Sequence, residues 1–307
     1  MRSTDAPRIA VAPNEVPDWI PRAVAAGGGH VVPIHEAQGL IWYGGADADG
    51  LAEVLEDAPE LEWVQLPWAG VDRYLELIDS RLTWTCGKGV FGRPVAELAL
   101  SLALAGFRGI GTYARATSWG PSIGRSLYGS RVTILGGGGI TTALIPLLTP
   151  FDCHITVVRN HAHEMVGADD VLEADRYVDA LPAADLVVLA LALTPETEHI
   201  IGHDELEAME SHAWLINVAR GRHVVTDDLV EALRNETIGG AALDVVDPEP
   251  LPDGHPLWSA SNCILTPHVG NTAEMEAELL SARIAANVKR FRKGEELLGI
   301  VDAELGY

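Results

Sequence analysis

Three ionisable side chains stand just beyond three short apolar runs. Arg220 follows Trp214-Leu-Ile-Asn-Val218, Glu249 follows Ala241-Ala-Leu-Asp-Val245, and His268 follows Cys263-Ile-Leu-Thr-Pro267. Apolar runs of this length read as strands buried on both faces of a parallel sheet. In open α/β sheets, ligands bind beyond the carboxyl ends of the strands. A cation, a carboxylate and an imidazole are therefore expected on one sheet edge. Each alone has an ordinary reading: a surface ion pair, a solvated loop acid, a capped histidine. Together they are what reduction of a carbonyl by hydride transfer requires. The imidazole supplies a proton near neutral pH. A carboxylate on its other ring nitrogen orients it and stabilises its charged form. The guanidinium binds an anionic substrate and polarises the reacting carbonyl.

A hydride donor has its own signal. Gly136-Gly-Gly-Gly-Ile-Thr141 follows the apolar run Val132–Leu135 and opens a helical pattern. The G-x-G-x-x-G fingerprint is filled by Gly136, Gly138 and Thr141. Glycines there let the backbone approach a pyrophosphate, which sits on the helix N-terminus. The strand–turn–helix context argues against a merely flexible loop. Thr141 in place of the third glycine predicts looser helix–strand packing, and Pro146 predicts a shortened or kinked helix. The next run, Ile155-Thr-Val-Val158, ends in Arg159-Asn160 rather than in the carboxylate that bonds a ribose 2′-hydroxyl. An arginine there pairs with a 2′-phosphate and stacks on adenine, which implies NADP rather than NAD. His161 and His163 form His-x-His with no third ligand spaced nearby. Contact with that phosphate is expected of them, not a metal site.

These residues need two sheets to position them. Ile9–Ala12, Val31–Ile34, Leu40–Tyr43 and Trp63–Leu66 read as strands, with a helix at Asp47–Asp57. A second series adds Val132–Leu135, Ile155–Val158, Leu186–Ala190, Trp214–Val218, Ala241–Val245 and Cys263–Leu265, with helices between most of them, for example Asp227–Arg234. Alternation of strands and helices implies parallel, doubly wound α/β domains. Val95–Gly106 is too short to span a bilayer and reads as a buried core helix. Gly120-Pro121 and Gly124 punctuate a loop between the two series. Ala273–Arg292 reads as a long tail helix that returns to the first domain. The expected division is 1–97, completed by 275–307, and 98–274.

Composition narrows the partners. The chain has 307 residues, of which 44 are acidic and 21 basic, a net charge of −23. That argues against nucleic acid and anionic membranes. Lysine occurs only at Lys88, Lys289 and Lys293, so 18 of the basic residues are arginine. Excess carboxylate with almost no lysine suggests a halophilic protein; an ordinary acidic cytosolic chain is the alternative. The Tm is expected to rise from low salt to molar KCl, as self-repulsion is screened over a Debye length of about 3 Å at 1 M. A Tm independent of KCl would contradict salt adaptation. Cys86, Cys153 and Cys263 are odd in number and far apart. They suit neither a disulfide framework nor a zinc site, and fit a reducing, cytoplasmic setting. The opening Met1-Arg-Ser-Thr-Asp-Ala-Pro has no apolar core of a secretory leader.

Five segments carry a family resemblance: Val95-Ala-Glu97, Leu193-Thr-Pro-Glu-Thr197, Leu215-Ile-Asn-Val-Ala-Arg-Gly221, Ala242-Leu-Asp-Val-Val-Asp-Pro-Glu-Pro250 and Leu265-Thr-Pro-His268. With Trp68-Ala-Gly70 they follow the order found in the D-isomer-specific 2-hydroxyacid dehydrogenases, which the chain resembles from Ala69 to His268. The relatives include the glyoxylate/hydroxypyruvate reductases. Thr141, Arg159 and Ala192, where proline is usual, are departures. The resemblance implies a Rossmann dinucleotide-binding domain and a flavodoxin-like substrate domain, usually in a homodimer. It implies Arg220, Glu249 and His268 in the roles above. Around the cofactor it implies Gly136, Gly138, Gly139, Ile140, Arg159, Asn160, His161, Leu191, Ala192, Thr197, Val218, Ala219, Arg220, Asp244, His268 and Gly270, with Asp244 beside the nicotinamide carboxamide. For the substrate it implies backbone N–H groups of Trp68, Ala69 and Gly70 on the carboxylate, and Lys88, Phe91 and Trp84 along the side-chain pocket, where core packing is an equal reading of the two aromatics. The function implied is reversible reduction of small 2-oxo acids to D-2-hydroxy acids by NADPH. Some relatives are transcriptional corepressors, so a dinucleotide-sensing binding protein is the alternative.

Overall fold

A computed structural model describes residues 6–302. The opening segment that was read for a leader lies largely outside them. The chain separates into two compact units, one formed by residues up to Phe91 with those from Thr272 onward, the other by Gly92–Asn271.

The first unit holds a parallel sheet of β1 (Arg8–Ala12), β2 (His30–Val31), β3 (Gly39–Trp42), β4 (Trp63–Gln65) and β5 (Thr83–Thr85). The strand order is β2-β1-β3-β4-β5, that of flavodoxin-like folds. α1 (Trp19–Ala26), α2 (Ala48–Glu56) and the tail helix α9 (Ala273–Lys293) belong to this unit. Asp47 caps α2, its side chain accepting the Gly50 N–H at 2.9 Å. A core of Leu40, Trp42, Leu51, Val64, Leu66, Tyr74 and Trp84 lies against the sheet. β2 is shorter than the Val31–Ile34 reading. Pro33 has no N–H to give a ladder, and a 3₁₀ turn follows at Ile34–Glu36. β5 was not legible: Thr83-Trp-Thr85 is three residues with no apolar run.

The second unit holds α3 (Gly92–Phe107), α4 (Ile110–Arg115), α5 (Gly139–Leu148), α6 (His203–Ala208), α7 (Thr226–Arg234) and α8 (Pro256–Ser259). They pack about a sheet of β6 (Arg131–Leu135), β7 (His154–Arg159), β8 (Asp170–Glu173), β9 (Leu186–Leu189), β10 (Trp214–Asn217), β11 (Gly240–Leu243) and β12 (Cys263–Leu265). All pairings are parallel, in the order β12-β11-β10-β9-β6-β7-β8. Taken from β8 inward, this is the strand order of dinucleotide-binding folds, extended by one strand. The order changes direction between β6 and β9, the switch point outside whose carboxyl ends open α/β sheets bind ligands. The strands β9 and β11 are buried along their whole length and β10 at all but Trp214, which explains why their sequences read as apolar runs. β8 escaped notice because it is a polar edge strand, Asp170-Val-Leu-Glu173. The expected boundary at residue 97 falls inside α3, which belongs whole to this unit. Among the described residues, no helix is long and apolar enough to cross a membrane.

Candidate active site

The carboxyl ends of β6, β9, β10, β11 and β12 carry the glycine turn and all three ionisable residues. Gly136 closes β6 with φ +112°, and a Cβ there would lie 2.3 Å from the Ala190 carbonyl oxygen. Only glycine fits that turn. A Cβ on Gly138 would meet nothing within 4 Å, so the N-terminus of α5 faces open space. Backbone approach without obstruction is what a pyrophosphate needs, and these residues fit a dinucleotide. Gly139 and Ile140 open that helix. Thr141 does not loosen the packing: it is fully buried, and its hydroxyl donates to the Gly136 carbonyl at 2.6 Å. Pro146 is accommodated near the end of α5, and the chain passes into a 3₁₀ turn at Thr149–Phe151.

Arg159 ends β7, and its side chain runs beside Gly137, where a Cβ would be 2.9 Å from its Cδ and Nε. Asn160 and His161 follow on the surface. Among the described residues, no three metal-binding side chains gather anywhere, His161 and His163 included. Leu191, Ala192 and Thr197 lie in the loop after β9. Thr197 ties that loop to itself, its hydroxyl donating to the Ala192 carbonyl at 2.7 Å and accepting the Thr194 N–H at 2.8 Å. A fully buried residue, His223, stands behind it, with Nδ1 at 2.9 Å from the Thr197 carbonyl oxygen and Nε2 at 3.3 Å from that of Leu191. His223 was overlooked because it sits in a 3₁₀ turn outside every strand end.

Val218 and Ala219 are buried at the end of β10, and Arg220 follows half-buried. Asn217 clasps this turn: its Nδ2 donates to the Arg220 carbonyl at 2.8 Å and its Oδ1 accepts the Ala219 N–H at 3.0 Å. The Arg220 guanidinium is braced by the Ala219 carbonyl at 2.8 Å. Asn217 was also missed, hidden inside what reads as a strand. Gly221 then passes the next loop so closely that a Cβ would lie 2.0 Å from the Val246 carbonyl group. The turns carrying Arg220 and Glu249 are therefore in backbone contact. Gly221→Ala is expected to cost about 2–3 kcal/mol through overpacking, seen as a lower midpoint in urea with unchanged slope.

His268 Nδ1 lies 2.7 Å from Glu249 Oε1, and the two side chains keep 48% and 41% of their exposure. The histidine sits at φ +53°, a left-handed conformation unusual for it. Asp244 explains how that conformation is held. Its carboxylate, in a residue only 3% exposed, accepts the Thr266 hydroxyl at 2.6 Å, the Val269 N–H at 2.9 Å and the Gly270 N–H at 2.9 Å. Its carbonyl accepts the His268 N–H at 2.8 Å. Asp244 thus shapes the loop that presents the imidazole.

In the other unit, Trp68, Ala69 and Gly70 form a bend after β4. The Trp68 carbonyl accepts the Gly87 N–H at 2.8 Å. The amides of Ala69 and Gly70 have no acceptor among the described residues. Lys88 is exposed beside this bend. Trp84 and Phe91 are buried, at 3% and 6% exposure.

Residues 98–270 match the family model described as D-isomer specific 2-hydroxyacid dehydrogenase, NAD binding domain. An uncharacterized protein of Corynebacterium melassecola is 37% identical over 296 residues, covering 93% of this chain and 95% of that one. A glyoxylate reductase of Pyrococcus horikoshii is 33% identical over 267 residues, 82% of this chain and 80% of that one. Among solved structures, a D-isomer specific 2-hydroxyacid dehydrogenase of Xanthobacter autotrophicus Py2, in complex with NADPH and MES, superposes with a TM-score of 0.86 at 26% identity, over 98% of this chain and all of that one. With the glycine turn, the strand order and the imidazole–carboxylate pair already in place, the chain belongs to the D-isomer specific 2-hydroxyacid dehydrogenase family.

Proposed function

We propose that the protein reduces small 2-oxo acids to D-2-hydroxy acids with NADPH. The observation that carries this reading is the 2.7 Å contact between His268 Nδ1 and Glu249 Oε1, on the same sheet edge as a glycine turn with open space at Gly138. With Nδ1 committed to the carboxylate, Nε2 is the proton donor. When bound, the reduced dinucleotide supplies the hydride that the carbonyl carbon accepts. His268 Nε2 gives its proton to the carbonyl oxygen and takes it back in the reverse reaction. Glu249 fixes the ring and stabilises the imidazolium. Arg220 draws charge onto the carbonyl oxygen as it develops. Trp68, Ala69 and Gly70 offer N–H groups to the substrate carboxylate, and Lys88 adds positive charge beside them. Support for this substrate class comes from the glyoxylate reductase likeness.

NADPH is favoured because Arg159, not a carboxylate, ends β7 and pairs with no carboxylate among the described residues. A charge-assisted contact to a 2′-phosphate is worth roughly 1.5–3 kcal/mol, or about 10- to 150-fold. NADPH is therefore expected to exceed NADH by at least about tenfold in kcat/KM, and Arg159→Asp to abolish or reverse that preference. Equal efficiency with the two cofactors in the wild type would refute the assignment. The test of the substrate class is a panel of glyoxylate, hydroxypyruvate, pyruvate and longer 2-oxo acids compared by kcat/KM in molar KCl. Turnover of at least one supports an enzyme. A panel without turnover, with NADPH still bound, points to a dinucleotide-sensing binding protein.

A further inference from the structure

A second clasp joins the turn that carries Arg220 to the loop after β9. His223 lies three residues beyond Arg220 and is fully buried. The backbone around it pairs with the far end of that loop. The His199 N–H donates to the Arg222 carbonyl at 2.8 Å, the Ile201 N–H to the His223 carbonyl at 3.0 Å, and the Val225 N–H to the Ile201 carbonyl at 2.9 Å. The imidazole reaches the rest of the loop, with Nδ1 2.9 Å from the Thr197 carbonyl oxygen and Nε2 3.3 Å from that of Leu191. Both oxygens accept, so a ring N–H makes each contact. Burying a polar ring costs stability unless its nitrogens are bonded, and here the fold gives both of them to one loop.

The contact with Leu191 decides where the next amide lies. The 191–192 peptide is trans, so its C=O and N–H stand on opposite edges of one plane. The Leu191 oxygen is on the edge that meets His223. The Ala192 N–H is therefore on the edge turned from the buried ring, and it has no backbone acceptor among the described residues. This segment borders the glycine turn: a Cβ on Gly136 would lie 2.3 Å from the Ala190 carbonyl oxygen and 2.9 Å from the Leu191 Cα. It does so at the switch point between β6 and β9. Ala192 stands where proline is usual, and proline has no N–H. The chain thus carries a backbone donor, beside the glycine turn, at a position that usually lacks one.

We infer that the Ala192 N–H is an additional donor to an oxygen of the bound dinucleotide, and that His223 is the positioning residue that holds it there by fixing the Leu191 carbonyl. The inference rests on the proposed use of NADPH at the glycine turn. It assigns His223 neither proton transfer nor contact with cofactor or substrate.

The experiment compares wild type, Ala192→Pro, Ala192→Gly, His223→Leu, His223→Gln and the double variant His223→Leu/Ala192→Pro, by fluorescence titration with NADPH and by initial rates with hydroxypyruvate. Ala192→Pro removes the N–H and is expected to raise the Kd for NADPH about 3- to 10-fold, the effect of losing one hydrogen bond. The KM for hydroxypyruvate is expected to move less than about twofold. Ala192→Gly keeps the N–H and loses only a methyl group, so its rise in Kd is expected to fall well short of that in the proline variant. His223→Leu fills the same space without a donor and is expected to match Ala192→Pro, with the double variant no worse than the poorer single one. In His223→Gln the side-chain amide reaches where Nε2 stood, and most of the affinity for NADPH is expected to return. Should His223→Leu fail to fold, the two Ala192 variants and His223→Gln carry the test. A wild type that binds NADPH, with an unchanged Kd in Ala192→Pro, overturns the inference and leaves the proposed cofactor standing. Equal rises in Ala192→Pro and Ala192→Gly also overturn it, since the methyl group and not the N–H would then be at work. A double variant whose losses multiply overturns the part given to His223, as does a parallel loss of hydroxypyruvate binding in His223→Leu, the mark of a purely structural role. A wild type that does not bind NADPH overturns both the inference and the proposed cofactor.

Discussion

His268→Ala is expected to lower kcat for 2-oxo acid reduction by about 10²–10⁴-fold, while the Kd for NADPH stays within about twofold. The proton must arrive as the hydride does, and Nε2 of this ring is the group whose partner nitrogen is already bound, at 2.7 Å from Glu249. The backbone complicates the reading of an alanine variant, because residue 268 has φ +53°. Asparagine tolerates that region better than most residues, so His268→Asn separates chemistry from strain. The same loss is expected in both. The loop itself stays in place through Asp244, whose bonds to Thr266, Val269 and Gly270 do not involve the imidazole. Stopped-flow measurement of NADPH oxidation with bound oxo acid checks this, since slow product release cannot mask a slow chemical step in a single turnover.

Arg220→Ala is expected to lower kcat/KM by about 10²–10³-fold, the usual cost of removing one preorganised donor from a developing oxyanion. Arg220→Lys retains the charge and is still expected to lose at least about tenfold, since a point charge on a flexible stem does not reproduce the planar fork. The site is built for the fork. Asn217 clasps the Arg220 backbone, and the Ala219 carbonyl accepts from Nη1. Initial rates over a range of oxo acid concentration check it; a lysine variant within about twofold of wild type would mean that Arg220 contributes charge alone.

The strand ends told most about the site. Arg220, Glu249 and His268 could be placed on one edge from sequence because β10, β11 and β12 read as apolar runs, β10 and β11 being almost wholly buried and the edge strand β12 partly so. The glycine turn was legible for a related reason, since its backbone cannot take a side chain at Gly136. What stayed hidden lacked a pattern. β5 and β8 are short or polar strands, and a three-residue strand gives no period. Asn217 and His223 act by binding backbone carbonyls and amides, a duty that leaves no signature in residue type. Thr141 shows the converse: a departure from the fingerprint that predicts looser packing proves to be bonded to the turn it follows.

If the His268–Glu249 pair and Arg220 serve stereospecific reduction of a 2-oxo acid by NADPH, the hydroxy acid formed has one configuration. The most direct measurement is the product of the wild-type enzyme in molar KCl, followed by the fall in NADPH absorbance and analysed by chiral chromatography, with hydroxypyruvate as substrate. One equivalent of NADPH is expected to be consumed for each hydroxy acid formed, with a product of D configuration. Formation of the L product, or NADPH absorbance that stays constant with every 2-oxo acid offered, would contradict it.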